Sequence, residues 1–229
     1  MDLGATLASF GILPVVTVTR PEQAVPLAEA LLAGGLPCVE ITFRSDAAVE
    51  AIRAIRVHVP GLLVGAGTVL TNAQADAAVD AGAAFLVSPG FGPDVVDQAL
   101  ARDIPIIPGI ATPTELQAAL ARGLRLVKVF PAAALGGPAY LQALEAPYPM
   151  MRFVPTGGVS AANLADYLAL DCVAAVGGTW LARPATVAAG AWGEVERLVR
   201  EAAALAVRAR AGRPAPDPAG APLDRPVVA

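Results

Sequence analysis

The chain has 229 residues, 55% of them hydrophobic, a formal net charge of −4 at pH 7 and an isoelectric point near 5.0. That size suits one domain with a large core, and the lack of a basic stripe argues against nucleic acid as a partner. Gly, Pro and charges interrupt every apolar run before the roughly 18 residues a membrane span needs, and two cysteines form neither a disulfide framework nor a metal spacing. The first ten residues lack a basic segment and are too short for a signal peptide, so a cytoplasmic location is expected.

From the N-terminus onward, short apolar runs alternate with Ala-rich amphipathic stretches. Asp2 to Phe10 is expected to form a short helix plugging one end of the fold. Strands are expected at Ile12 to Val18, Cys38 to Phe43, Leu62 to Thr68, Phe85 to Ser88, Ile104 to Pro108, Leu126 to Phe130, Arg152 to Thr156 and Val173 to Gly177. Helices are expected at Pro21 to Ala33, Asp46 to Val57, Asn72 to Ala81, Pro93 to Ala101, Pro113 to Ala121, Pro138 to Leu144 and Ala161 to Leu168, with a last one from Trp192 to Arg208. Pro21, Pro93 and Pro113 suit a first helical turn, and Gly34, Gly82 and Gly123 suit left-handed helix caps.

Continuous apolar strands alternating with helices indicate parallel β-structure buried on both faces. Eight such units predict an α/β fold, a single-domain (β/α)8 TIM barrel over residues 1–210. An open doubly wound sheet gives the same local signals, but no G-x-G-x-x-G fingerprint follows the first strand. From Ala211 the composition changes: five prolines occur between Pro214 and Pro226, and residues 211–229 read as a Pro/Ala-rich tail unable to bury enough apolar surface to order itself.

Lys128 is the sole lysine, inside the apolar run Leu126-Val127-Lys128-Val129-Phe130-Pro131; the other fifteen basic residues are arginines. Burying an ammonium is costly and the usual escape is to shed the proton. A neutral amine is a nucleophile, and Schiff-base formation with a carbonyl is the reaction that needs one. The bland alternative is a surface lysine at a strand end. His58, the only histidine, lies on the polar side of a helix, which leaves His-based triads and His–metal sites little to work with. Cys38 and Cys172 adjoin apolar runs and read as buried reduced thiols.

In a barrel, reactive residues project from the C-terminal ends of the strands. Glu40 lies between Val39 and Ile41, so period two turns it the opposite way, onto one face with Thr42 and Arg44. A desolvated carboxylate there could serve as general acid and base; the alternative is a structural ion pair with Arg44 or Lys128. Two glycine-rich turns, Thr156-Gly157-Gly158-Val159-Ser160 and Gly177-Gly178-Thr179, follow the seventh and eighth strands. That is where such barrels bind phosphate, with backbone N–H groups and a helix N-terminus facing the anion.

Taken together, Glu40-Ile41-Thr42-Phe43-Arg44, Gly65-Ala66-Gly67-Thr68-Val69-Leu70, Ser88-Pro89-Gly90, Lys128-Val129-Phe130-Pro131, Pro155-Thr156-Gly157-Gly158-Val159 and Gly177-Gly178-Thr179-Trp180 resemble the 2-keto-3-deoxy-6-phosphogluconate (KDPG) aldolases, over about residues 10 to 205 in one order. The resemblance implies a class I aldolase that needs no metal or other cofactor, because an iminium takes the place of a Lewis acid. It implies Lys128 as the imine-forming amine and Glu40 as proton shuttle. Arg44 and Thr68 would hold the substrate carboxylate, and Pro89 and Phe130 would form the apolar floor. Gly157, Gly158, Gly178 and Thr179 would hold phosphate, with Thr156 near the sugar hydroxyls or the phosphate. The implied partners are a phosphorylated 2-keto-3-deoxy sugar acid and pyruvate, and the implied assembly is a homotrimer. The related phosphogalactonate aldolases typically carry Asn in place of Arg44 and Pro-Asn in place of Pro89-Gly90, which favours the gluconate type. Cleavage of 4-hydroxy-2-oxoglutarate, and a phosphosugar-binding barrel without lyase activity, stay open as alternatives.

Overall fold

The computed structural model describes residues 2–211. The tail expected at 211–229 lies, apart from Ala211, outside them. The elements run α1 (Leu3–Phe10), β1 (Ile12–Val16), α2 (Ala24–Ala33), β2 (Cys38–Thr42), α3 (Ala48–His58), β3 (Leu63–Gly67), α4 (Asn72–Asp80), β4 (Leu86–Val87), α5 (Pro93–Ala101), β5 (Ile106–Ile107), β6 (Gly109–Ile110), α6 (Pro113–Ala121), β7 (Leu126–Val129), α7 (Gly137–Glu145), β8 (Arg152–Pro155), α8 (Leu164–Leu168), β9 (Val176–Gly178), α9 (Pro184–Ala188) and α10 (Trp192–Arg210). The expected alternation of strand and helix holds except at the fifth expected strand, which is split into β5 and β6. The short helix α9 was not expected; its Pro184 sits in the first turn, within a segment too short to show a helical period.

All the strand pairs are parallel and fall into two ladders, β5-β4-β3-β2-β1-β9 and β6-β7-β8. Single bridges, Phe153 to Val173 and Thr156 to Gly177, lie between β8 and the β9 side. The architecture is therefore α/β with a curled parallel sheet, rather than eight strands in one unbroken ladder. The break at the fifth expected strand, Ile104 to Pro108, has a local cause. Pro108 has no N–H to donate, so β5 pairs with β4 before it and β6 pairs with β7 after it. Its carbonyl still accepts from the Lys128 N–H at 2.9 Å.

Side chains on the two faces of the sheet form separate cores. Ile12, Val16, Val39, Ile41, Val64, Ala66, Val127, Val129 and Phe153 pack outward against the helices. On the concave face, Leu13, Cys38, Phe85, Val87, Ile107, Val154 and Ala175 meet Leu3 and Leu7 of α1. The short N-terminal helix thus closes the end where the strands begin, capped by Asp2, whose carboxylate accepts from the Ala5 N–H at 3.0 Å. Leu7 is fully buried, a contribution of about 1.5–3 kcal/mol.

The long helix α10 buries Val195, Val199, Ala202 and Ala206 along one stripe and packs against α2. One of the expected caps lies at this contact and departs from the left-handed form. Gly82 and Gly123 are left-handed, but Gly34 is not; the left-handed residue is Gly35. A Cβ on Gly34 would lie 2.5 Å from Val199 Cγ1, so Gly34 is there to let α10 approach. At the end of α10 the Arg210 guanidinium donates to the carbonyls of Ala8, Val173 and Ala174, which ties α1 to the segment entering β9.

No helix among the described residues is long and apolar enough to cross a membrane. His58 is exposed at the end of α3. Both cysteines are free and buried. Burial raises the Cys38 thiol far above its ordinary range, and burial together with nearby Glu145 pushes Cys172 up to about 12. Neither thiol is expected to react with Ellman's reagent at pH 8 in the folded protein, and both are expected to react at once in 6 M guanidinium; rapid labelling of the native protein would contradict the burial.

Candidate active site

Parallel strands place all their C-terminal ends on one edge of the sheet. Glu40 is the third residue of β2 and Lys128 the third residue of β7. The two strands belong to different ladders, yet Lys128 Nζ lies 3.4 Å from Glu40 Oε1. Only a strongly curled sheet brings them together across its concave side. The two side chains are 6% and 1% exposed. Lys128 Nζ also stands 5.7 Å from the centroid of the Phe130 ring, within range of a cation–π contact when protonated. Glu40 Oε2 is buried with no hydrogen-bond partner among the described residues.

That arrangement is a poor stability device. A buried ion pair rarely recovers the desolvation of both ions, and an apolar pair of similar volume is usually as stable or more so. An amine beside a carboxylate whose second oxygen is unused is, by contrast, equipped to form a bond with an incoming carbonyl and pass protons around it.

Space for Glu40 comes from the neighbouring strand. A Cβ on Gly67 would lie 2.1 Å from Glu40 Oε1 and 2.4 Å from Glu40 Cγ. Gly67 therefore allows the carboxylate to lie across β3 toward Lys128. Thr68 follows directly with φ 56°, a left-handed conformation that costs a β-branched residue about 1–3 kcal/mol. It is half-buried at the strand end. Arg44 is exposed in the turn after β2. The strand ends at Thr42, so strand periodicity does not by itself place Arg44 on the face of Glu40. The ion partner of Glu40 is Lys128. One layer above Glu40, Thr42 Oγ1 lies 2.7 Å from Thr17 Oγ1.

Pro89 is half-buried in a turn held by the Ser88 hydroxyl, which donates to the Gly90 carbonyl at 2.8 Å. Phe130 is half-buried just past β7. Thr156 is buried, with its hydroxyl donating to the Val154 carbonyl at 3.3 Å; a Cβ on Gly177 would lie 2.0 Å from that hydroxyl oxygen. Gly157 and Gly158 are successive left-handed residues, φ 92° and 80°. The Ala132 and Ala133 N–H groups donate to the Thr156 and Gly157 carbonyls at 2.8 and 3.0 Å, and so fix this turn beside Phe130. Gly178 ends β9, and Thr179 is exposed beyond it.

The helices that follow the two glycine turns begin only at Leu164 and Pro184 and have five residues each. A strong helix dipole at the turns, expected from the sequence, is therefore not what they offer; their anion donors are their own N–H groups and hydroxyls. Sequence reasoning did not single out Gly67, which makes room for Glu40, or Thr17, which meets Thr42 beside it. Thr17 could have been flagged as a polar residue at period two from Leu13 and Val15, but the role of Gly67 depends on where a side chain from another strand lies.

Comparison with known proteins agrees with this geometry. The family model "KDPG and KHG aldolase" matches residues 4–198. A 2-dehydro-3-deoxy-phosphogluconate aldolase from Treponema pallidum is 52% identical over 190 residues, covering 83% of this chain and 90% of the relative. A KDPG aldolase from Legionella pneumophila, solved with pyruvate captured at low pH as a covalent carbinolamine intermediate, superposes with a TM-score of 0.83 at 38% identity, covering 86% of this chain and 96% of that one. The Zymomonas mobilis enzyme solved with 3-phosphoglycerate gives 0.82 at 35% identity, covering 90% and 97%. A buried amine beside a buried carboxylate, on a curled parallel sheet and in a sequence matched over this length, places the chain in the KDPG and KHG aldolase family.

Proposed function

We propose that this chain is a Schiff-base aldolase cleaving 2-dehydro-3-deoxy-6-phosphogluconate to pyruvate and glyceraldehyde 3-phosphate, within a single domain over residues 1–210. The observation that carries this reading is the 3.4 Å approach of Lys128 Nζ to Glu40 Oε1, both buried. Their contact across two ladders also supports a closed eightfold barrel, with β5 and β6 as one strand interrupted at Pro108. The family model and the carbinolamine trapped in the Legionella relative support the chemistry.

In this mechanism Lys128 gives a proton to Glu40 and its neutral Nζ adds to the C2 ketone, a second Nζ proton moving to the new alkoxide to give the carbinolamine. Glu40 gives a proton to the carbinolamine hydroxyl, which leaves as water, and an iminium forms. Glu40, now a carboxylate, takes the C4 hydroxyl proton, directly or through water. The C3–C4 electron pair moves into the iminium, releasing the aldehyde and leaving an enamine. Protonation at C3 and addition of water then return the free amine and pyruvate. Arg44 reaches in from its turn to pair with the carboxylate, alongside Thr68. Pro89 and Phe130 pack under the pyruvyl carbons. Gly157, Gly158, Gly178 and Thr179 bind the phosphate, and Thr156 lies near the sugar hydroxyls or the phosphate. Glu40, Thr68 and Lys128 act equally on 4-hydroxy-2-oxoglutarate, the second substrate in the family description. The assembly proposed is the homotrimer implied by the family resemblance, and the location proposed is the cytoplasm.

Borohydride reduction in the presence of pyruvate is expected to leave one pyruvyl group on the peptide containing Lys128, the only lysine in the chain. Lys128→Arg is expected to give no adduct and no detectable turnover, because a guanidinium does not form the imine; an unmodified wild-type peptide would end the Schiff-base reading. Glu40→Gln should lower kcat by about 10²–10⁴-fold with inhibition by inorganic phosphate nearly unchanged, whereas equal losses in both would make Glu40 purely structural. Gly67→Ala, which drives a methyl into Glu40, should cost about 1–3 kcal/mol in urea unfolding and lower kcat far more than it changes KM.

A further inference from the structure

We propose that Thr17, paired with Thr42, is a specificity-determining residue that reads the C5 hydroxyl of the six-carbon substrate; this rests on the aldolase reading above. The alternation along two adjacent strands fixes where these hydroxyls point. Leu13 packs in the concave core while Ile12, Val16 and Val18 pack outward, which turns Val15 and Thr17 to the concave side. On β2, Cys38 is concave and Val39 and Ile41 are outward, which turns Glu40 and Thr42 the same way. Val15 aligns with Glu40 and Val16 with Ile41, so the next step brings Thr17 beside Thr42, one layer nearer the open edge than the carboxylate.

Two hydroxyls bring two protons, and their mutual 2.7 Å bond uses one. Among the described residues neither has another hydrogen-bond partner. Thr42 is completely buried and Thr17 half-buried, so the pair holds one O–H and spare lone pairs beyond its mutual bond, and Thr17 is the member a ligand group can reach to complement them.

Topology says which ligand group. In the ladder, β1 lies between β9 and β2. Strand β9 runs into Gly178 and Thr179, assigned to phosphate, and β2 carries Glu40, assigned to the C4 hydroxyl. A substrate joined to Lys128 at C2 and carrying its phosphate on C6 passes C5 between those two strands, beside Thr17. The Thr156 hydroxyl on the other flank of β9 already donates to the Val154 carbonyl.

The test is run in the synthetic direction, condensing pyruvate with D-glyceraldehyde 3-phosphate or with 3-phosphooxypropanal, which lacks the hydroxyl that becomes C5–OH. Wild-type protein is expected to prefer the hydroxylated aldehyde by about tenfold or more in kcat/KM, the value of one well-placed hydrogen bond. Thr17→Val and Thr17→Ala should bring that ratio close to one, and Thr17→Ser should restore it. Equal losses for both aldehydes, an unchanged ratio, or no preference in the wild type would overturn the assignment. Borohydride trapping of pyruvate on wild-type Lys128 separates the two levels. A trapped adduct with an unchanged aldehyde ratio sinks the role of Thr17 alone, and no adduct removes the aldolase reading and this inference together.

Discussion

A buried amine set against a buried carboxylate is the interaction on which the rest of this molecule turns. Each ion alone would be prohibitively costly on the concave side of the sheet; together they are tolerable, though an apolar pair would serve stability as well. Holding them 3.4 Å apart requires strands from two ladders to be fixed relative to each other. The double-sided core supplies that rigidity. Helices clamp the outer face, α1 fills the end away from the site, and Arg210 ties α1 to the approach to β9.

Room for polar groups on the concave face is made by glycine on the adjacent strand. Phe85 lies over Gly65, Glu40 over Gly67 and Thr156 over Gly177. One strand gives up its side chain so that its neighbour can lean across, and packing stays dense while a functional group gains a defined direction. Phe85 shows that the device is general to this interior, and the two remaining instances show how it is turned to chemistry. The strained Thr68 immediately after Gly67 marks the point where the strand leaves the packed layer for the mouth of the site.

Much of this was legible in the residues. Lys128 stood out because it is the only lysine and lies in an apolar run, and Glu40 because it interrupts one; both properties follow from the cost of burying charge. The strand–helix alternation was readable because apolar runs and Ala-rich amphipathic stretches differ in period. Arg44 shows the limit of that reading, since period two stops applying where the strand stops. The split at Pro108 shows another. A proline's missing N–H is visible in sequence, but which neighbour each half of the strand pairs with is not. The left-handed cap falls at Gly35, and the glycine at position 34 answers instead to Val199, a residue on a helix more than 160 positions away.

By itself, then, the sequence determined the class of fold, the order of its elements and the two ionisable groups that interrupt its apolar strands, because these depend on local periodicity and on the price of desolvation. Only the tertiary structure decided that those two groups touch, that Gly67 makes way for one of them, and that Thr17 meets Thr42 above them. Such facts depend on how far a sheet curls and on how chains distant in sequence share space, and no stretch of neighbouring residues encodes either.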